Sequence, residues 1–131
     1  MEVEATIPNI VVIDEFVAHE LEQHGVSHKA RQQIKLALEE VLANVASYAY
    51  PEGGGSMKVD LDYSGNTVTL VISDNGVPFD PTNAPEPDIT LSAEERKIGG
   101  LGVFLVQQLM DEMNYERVDG RNVLTLRKNI A

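Results

Sequence analysis

Glu40 and Asn44 stand four residues apart in a stretch whose apolar residues Ile34, Leu38, Val41, Val45 and Ala49 recur at three and four positions. At about 100° per residue the pair projects within roughly 40° of one another, on the flank of that stripe. A carboxylate and an amide oxygen are hard ligands suited to Mg2+ and water, and a carboxylate can also take a hydroxyl proton. The same spacing suits a solvated helix face, and Glu39, further round, reads that way. A second group is Asp74-Asn75-Gly76-Val77-Pro78-Phe79-Asp80. Asn-Gly after an alternating strand is ordinarily a hairpin turn, but no alternating strand follows this one. An acid at a strand terminus, followed by a glycine that lets the backbone come close, is placed to read a donor group on a ligand. The third group is Gly99-Gly100-Leu101-Gly102. Free N–H groups and the positive dipole end at a helix start make an anion site, and glycines admit the anion; a hinge or loose cap is the plainer alternative. The pattern is neither G-x-G-x-x-G nor a Walker A. His19 and His24 have one residue too many between them for a zinc-protease helix, and no Gly-x-Ser-x-Gly elbow is present.

The elements that must position these groups follow from periodicity. Alternation predicts a first strand over Glu2 to Ile7, stopped by Pro8, and helical spacing predicts a helix from Val11 to His24 capped by Gly25. A longer helix runs from about His28 to Tyr50, ended by Pro51. Met57 to Tyr63 and Thr67 to Ser73 read as a hairpin around Ser64-Gly65-Asn66. From Asn75 to about Lys97 the periodicity disappears and four prolines gather, the signature of a binding loop or lid, with Ser92-Ala93-Glu94-Glu95 fitting a capping box inside it. A third helix over Leu101 to Met113 precedes strands near Tyr115 to Val118 and Val123 to Arg127, joined at Asp119-Gly120. The order β-α-α-β-β-loop-α-β-β predicts an α+β two-layer sandwich, a mixed, mostly antiparallel sheet with three helices on one face.

Composition narrows the chemistry further. With 131 residues the expectation is one domain with a full core. Ten Lys and Arg against 21 Asp and Glu give a net charge of -11, a field that repels nucleic acid and anionic membranes. The chain has no Cys, which excludes disulfide scaffolds and thiol nucleophiles. No apolar run approaches the roughly 18 residues of a membrane span and no basic-then-apolar leader opens the chain, so a soluble cytoplasmic protein is expected.

Taken in order, Glu40-Val41-Leu42-Ala43-Asn44, Asp74 to Asp80, Gly99-Gly100-Leu101-Gly102-Val103-Phe104-Leu105 and the tail from Met110 to Leu126 resemble the GHKL ATPase superfamily, which includes gyrase and histidine kinase ATP-binding domains. Within it the chain looks most like the stand-alone anti-sigma-factor serine kinases of bacterial partner switching. The resemblance spans nearly the whole chain and implies a single domain over 1–131 with an ATP lid at about 77–99. It implies that Asn44 holds the Mg2+ bridging the ATP phosphates and that Glu40 accepts the proton of an attacking serine. Asp74 would take the adenine amino group, Gly76 leave room for the base, the backbone of Gly100, Leu101 and Gly102 meet phosphate, and Thr125 support the adenine end. Arg96 and Lys97 are candidates to neutralise phosphate charge.

The implied activity is phosphorylation of a STAS-type anti-sigma antagonist by an ATP:protein serine kinase that also sequesters a sigma factor or similar regulator, with homodimerisation. Two alternatives stand beside it: a nucleotide-gated binding module without transfer, and an orphan histidine kinase catalytic module. For the latter, His19-Glu20-Leu21 faintly resembles a phosphoacceptor box, but no Pro follows in place and no helical hairpin precedes it. The chain departs from its resemblance at Tyr48, where the family commonly has histidine, which bears on partner specificity or rate.

Overall fold

The structure, a computed structural model, describes residues 1–81 and 100–130. Its elements are β1 (Glu2–Glu4), α1 (Ile7–Gln23), α2 (His28–Asn44), a π-helical turn (Val45–Ala49), β2 (Ser56–Ser64), β3 (Thr67–Asp74), α3 (Gly100–Leu109), β4 (Glu112–Val118) and β5 (Arg121–Asn129). This is the expected order. The five strands form one sheet, β1-β2-β3-β5-β4, and every neighbouring pair is antiparallel. The α+β two-layer sandwich is therefore as expected, without the parallel component that a mixed sheet implies. β2–β3 and β4–β5 are hairpins with two-residue loops, and that connection permits only antiparallel pairing. In the second hairpin, Asp119 (φ 50) and Gly120 (φ 78) both take positive φ, the backbone of a type I′ turn.

The register places one polar-ended apolar face toward the helices. Val59 pairs with Ile72, Ile72 with Leu124, and Leu70 with Leu126, and all five are buried. Against them pack Ile13 and Val17 of α1, Ile34, Leu38 and Leu42 of α2, and Val106 of α3 in a single cluster. Each large apolar side chain so buried contributes about 1.5–3 kcal/mol relative to leaving it in water. At the far end of the same face the series closes with Asp74 on β3 opposite Asn122 on β5.

Several boundaries differ from the sequence reading, each for a local reason. Strand β1 ends at Glu4, not Ile7, and helix α1 starts at Ile7 with Pro8 in its first turn, where a missing N–H costs nothing, so the proline opens the helix and does not stop the strand. Ser27 caps α2, its hydroxyl accepting from the Ala30 N–H at 3.2 Å. The long helix does not stay α-helical to Tyr50. It widens to π geometry at Val45 and stops at Tyr50, whose φ of -127 and ψ of 80 are the extended backbone that Pro51 favours. Helix α3 ends at Leu109, not Met113, with the Lys128 ammonium donating to the Leu109 carbonyl at 2.7 Å. Met113 thereby becomes a strand residue. The Ser92 capping box, Arg96 and Lys97 lie outside the described residues.

One group in the helical layer is electrostatically costly. Asp14 on α1 is pushed up to about 7 from 3.8, first by burial, then by the charge of Glu39 on α2 and a hydrogen bond with it, with Lys35 opposing. A folded-state value above the unfolded one means that the folded protein binds the extra proton between about pH 4 and 7. The associated stability is present below that window and lost as pH rises through it. Asp14→Asn, which keeps the shape and removes the charge, is therefore expected to match the parent in thermal melts near pH 4 and to melt higher than the parent at pH 8. Equal melting temperatures at pH 8 would contradict this.

Candidate functional site

Where the C-terminal end of α2 meets the polar end of the sheet, the layers part into an open cleft of about 540 Å3. Its helical wall is Val41, Asn44 and Val45 with Tyr48 and Ala49 of the π turn; its floor is Ile72 and Asp74 of β3 and Leu124 and Asn122 of β5. Met113 and Tyr115 of β4 close the far side, and Val106 of α3, Phe79 and Pro81 complete it. An open, mainly apolar cleft with a few convergent polar groups is the usual form of a small-molecule site.

The polar groups are few and buried. Asn44, Asp74 and Asn122 are 8%, 7% and 6% exposed, and all three face the cleft. Asp74 Oδ1 accepts from the Gly76 N–H at 2.8 Å and from Asn122 Nδ2 at 2.9 Å. Both bonds fall on the same oxygen, Oδ1. Asn122 is held in turn from every side. Its Nδ2 also donates to the Val77 carbonyl at 2.8 Å, and its Oδ1 accepts from the Tyr115 hydroxyl at 2.6 Å, Arg117 Nη1 at 3.1 Å and the Phe79 N–H at 3.2 Å.

Backbone geometry explains Gly76. The Ala49 carbonyl, at the end of the π turn, accepts from the Val77 N–H at 2.8 Å. A Cβ on Gly76 would stand 2.2 Å from that oxygen, closer than any carbon can approach. The glycine is required by this contact between helix end and strand end, not by an unusual φ. Arg117 Nη1 also donates to the Gly76 carbonyl at 2.8 Å, fastening the same peptide from the other side.

The structure brings Asn44, Asp74 and Gly76 to one place. Glu40 lies one turn before Asn44 on α2, half-buried, and is not among the cleft walls described. Gly100, Leu101 and Gly102 form the first turn of α3, whose Val106 reaches the cleft; Gly99 lies outside the described residues. Thr125 is placed elsewhere. Along β5 the buried, inward positions are Asn122, Leu124 and Leu126, and a strand's period of two turns Thr125 to the opposite face of the sheet. Asn122, not Thr125, is the polar β5 residue that lines the cleft. That residue escapes a reading that begins the strand at Val123, although a polar residue in phase with Leu124 and Leu126, two places after an Asp-Gly turn, is the signal that marks it. Of the stretch expected as a lid at 77–99, Phe79 and Pro81 line the cleft, Val77 is tied to Ala49 and Phe79 to Asn122, and 82–99 are outside the described residues. Tyr48 lines the cleft one turn beyond Asn44. His24 stacks on Tyr63 with ring centroids 3.7 Å apart, remote from all of this.

Among the described residues no three His, Asp or Glu side chains gather into an ion cage. The side chain of Asn44, buried and lining the cleft, carries an amide oxygen of the kind that suits a Mg2+ taking most of its ligands from water and substrate phosphates.

Asn44 of α2 and Asp74 at the end of β3 thus face one cleft between the two layers of the fold. Over residues 3–128 the chain matches the family described as Histidine kinase-like ATPase domain, and it belongs to that family. Its relatives include serine kinases. It is 34% identical over 106 residues to the serine/threonine-protein kinase BtrW of Bordetella bronchiseptica, spanning 80% of this chain and 75% of that protein. It is 27% identical over 128 residues to the serine-protein kinase RsbW of Bacillus thuringiensis, spanning 95% and 80%. Among solved structures, the RsbU and RsbW domains of a Mycobacterium tuberculosis protein align with a TM-score of 0.66 at 18% identity, over 99% of this chain and 32% of that one. The catalytic domain of the histidine kinase ThkA aligns with a TM-score of 0.59 at 13% identity, over 99% and 96%. Those two likenesses are of fold.

Gly76→Ala is expected to force the Gly76–Val77 backbone off Ala49 and break the bond there. The loss of a buried backbone hydrogen bond, ~1–3 kcal/mol, corresponds to roughly tenfold or more in adenine-nucleotide affinity, with a lowered melting temperature. Titration calorimetry with Mg-ATP checks it. An unchanged affinity would show that the close approach does not shape the site.

Proposed function

We infer that the protein is an ATP-dependent protein-serine kinase that modifies a STAS-type anti-sigma antagonist and sequesters a sigma factor or similar regulator. The observation that carries this reading is the placement of Asn44 and Asp74, both buried, on the walls of one mainly apolar cleft. Asp74 Oδ2 accepts the 6-amino group of adenine, and the apolar walls take the faces of the base. Gly76 keeps the carboxylate end of the cleft free of a side chain. The first turn of α3, with Gly100 and Gly102 and the N–H of Leu101, meets the phosphates with its dipole and backbone donors. Mg2+, when bound by Asn44 and phosphate oxygens, supplies charge neutralisation for the transferring group.

Glu40 serves as the base. The serine Oγ forms a bond to the γ-phosphorus, the bond from that phosphorus to the bridging oxygen breaks, ADP leaves, and the hydroxyl proton passes to the Glu40 carboxylate. Phosphoryl transfer is chiefly positioning and charge stabilisation, so the base is one contributor among several. The cytoplasm, where ATP and sigma factors occur, is the compartment that suits this reading, and no helix among the described residues is long and apolar enough to cross a membrane. Homodimerisation accompanies the reading through the family.

The competing reading is a nucleotide-gated binding module, and the position of Glu40 outside the described cleft walls favours giving it a direct test. Glu40→Gln is expected to keep Mg-ATP affinity and to lower transfer by about 10²- to 10⁴-fold, the range for loss of a general base. Transfer is read as the mass gain of one phosphate on the STAS protein encoded nearest to this one. Near-parental transfer by the variant removes Glu40 as base, and no transfer by the parent protein favours the binding module. As a check on nucleotide binding itself, Mg-ATP at 100-fold excess over its Kd is expected to add about 2.7 kcal/mol of stability, visible as a raised melting temperature.

A further inference from the structure

We propose that Asn122 is the positioning residue for Asp74 and, through it, a determinant of base selectivity. The inference rests on the reading of Asp74 as the adenine acceptor. The geometry that carries it is the one-sided use of the carboxylate. Gly76 N–H and Asn122 Nδ2 both bind Oδ1, at 2.8 and 2.9 Å, so that in this cleft-lining carboxylate Oδ2 is the oxygen not used by either bond. A carboxylate free to rotate can offer both oxygens to a ligand. It then matches the adjacent ring N–H and 2-amino group of guanine, which donate side by side. Pinned through Oδ1, it offers one oxygen to one donor, which suits the single exocyclic amino group on the Watson–Crick edge of adenine.

Asn122 can do this because its own orientation is fixed. Three donors converge on its Oδ1, from Tyr115, Arg117 and Phe79, and two acceptors, Asp74 Oδ1 and the Val77 carbonyl, take its Nδ2. Flipping the amide would set its N–H groups against three donors and its oxygen against a carboxylate and a carbonyl, so only one orientation is compatible with the surroundings. At 6% exposure, water cannot replace these partners without opening the site. The residue thus turns a shared network from β4, β5 and the strand end into one fixed direction for Asp74.

The test measures binding of ATP, of the purine riboside triphosphate that lacks the 6-amino group, and of GTP, to the parent and to Asn122→Leu. The parent is expected to prefer ATP over the desamino analogue by roughly 10- to 100-fold, the worth of one hydrogen bond to a charged group. In Asn122→Leu that preference is expected to fall toward unity, and the ratio of ATP to GTP affinity to fall with it, the desamino analogue weakening less than ATP does. If ATP and the desamino analogue weaken by the same factor, Asn122 is only a structural support and the proposal is overturned. If the parent itself does not distinguish the two, the assignment of Asp74 fails, and that outcome is separable from failure of the role given to Asn122. Asn122→Ser removes the N–H toward Asp74 without adding a charge beside it and leaves room for water at the other partners. It is expected to lower the amino preference in the same direction, and supplies the measurement should the leucine variant not fold.

Discussion

The carbonyl of Ala49 is the point on which the site depends. A helix end leaves carbonyls without intrahelical partners, and a buried one must find a donor elsewhere. Here the π turn delivers that oxygen to the Val77 N–H at 2.8 Å, so the end of the long helix and the end of a central strand are joined by one backbone bond. The contact is possible only with glycine at 76. It sets the distance between Asn44, one turn back on the helix, and Asp74, two residues back on the strand, and thereby the width of the cleft.

From that junction the second layer of organisation follows. Residues 77–81 leave the strand as a wall, because Val77 is held by Ala49 and Phe79 by Asn122. Asn122, Tyr115 and Arg117 come from the adjacent hairpin, whose register is fixed by the Asp119-Gly120 turn. The buried amide, the carboxylate and the guanidinium form a network in which every observed bond holds another in place. Networks of this kind are stabilising when complete and costly when one member is lost, which ties the stability of this end of the sheet to the shape of the site.

The charge balance reads differently in this light. In the proposed function an acidic protein binds a nucleotide that is itself polyanionic, and among the described residues the cleft is lined by no Lys or Arg to offset it. Arg117 stands at the rim, but its described bonds are to Gly76 and Asn122. In the proposed reading, phosphate is met by helix-terminal N–H groups and a shared Mg2+, so the scarcity of basic residues is compatible with ATP chemistry. The same acidic balance has a cost at the seam of α1 and α2, where Asp14 is held near Glu39 at a raised value.

Much of this was legible without coordinates. Period-two and helical spacing are local properties, and they were enough for the element order, the two-layer architecture and the helices' shared face. The Glu40-to-Asn44 spacing, the Asp74-x-Gly76 step and the glycines before the last helix sufficed for the family. What sequence could not supply was anything that depends on how far apart two distant segments sit. The widening of the long helix into a π turn, the clash that demands glycine at 76 and the convergence of five groups on Asn122 are products of packing between elements. Thr125 makes the difference plain. Its residue type suits a role near a ligand, but on which side of the sheet a strand residue falls is set by register against its neighbours, and a one-place difference in register moves a side chain from the cleft to the opposite face. Residue chemistry and periodicity are written along the chain; the facing of strand ends and the aiming of Asp74 come only from tertiary contacts that fix register and distance.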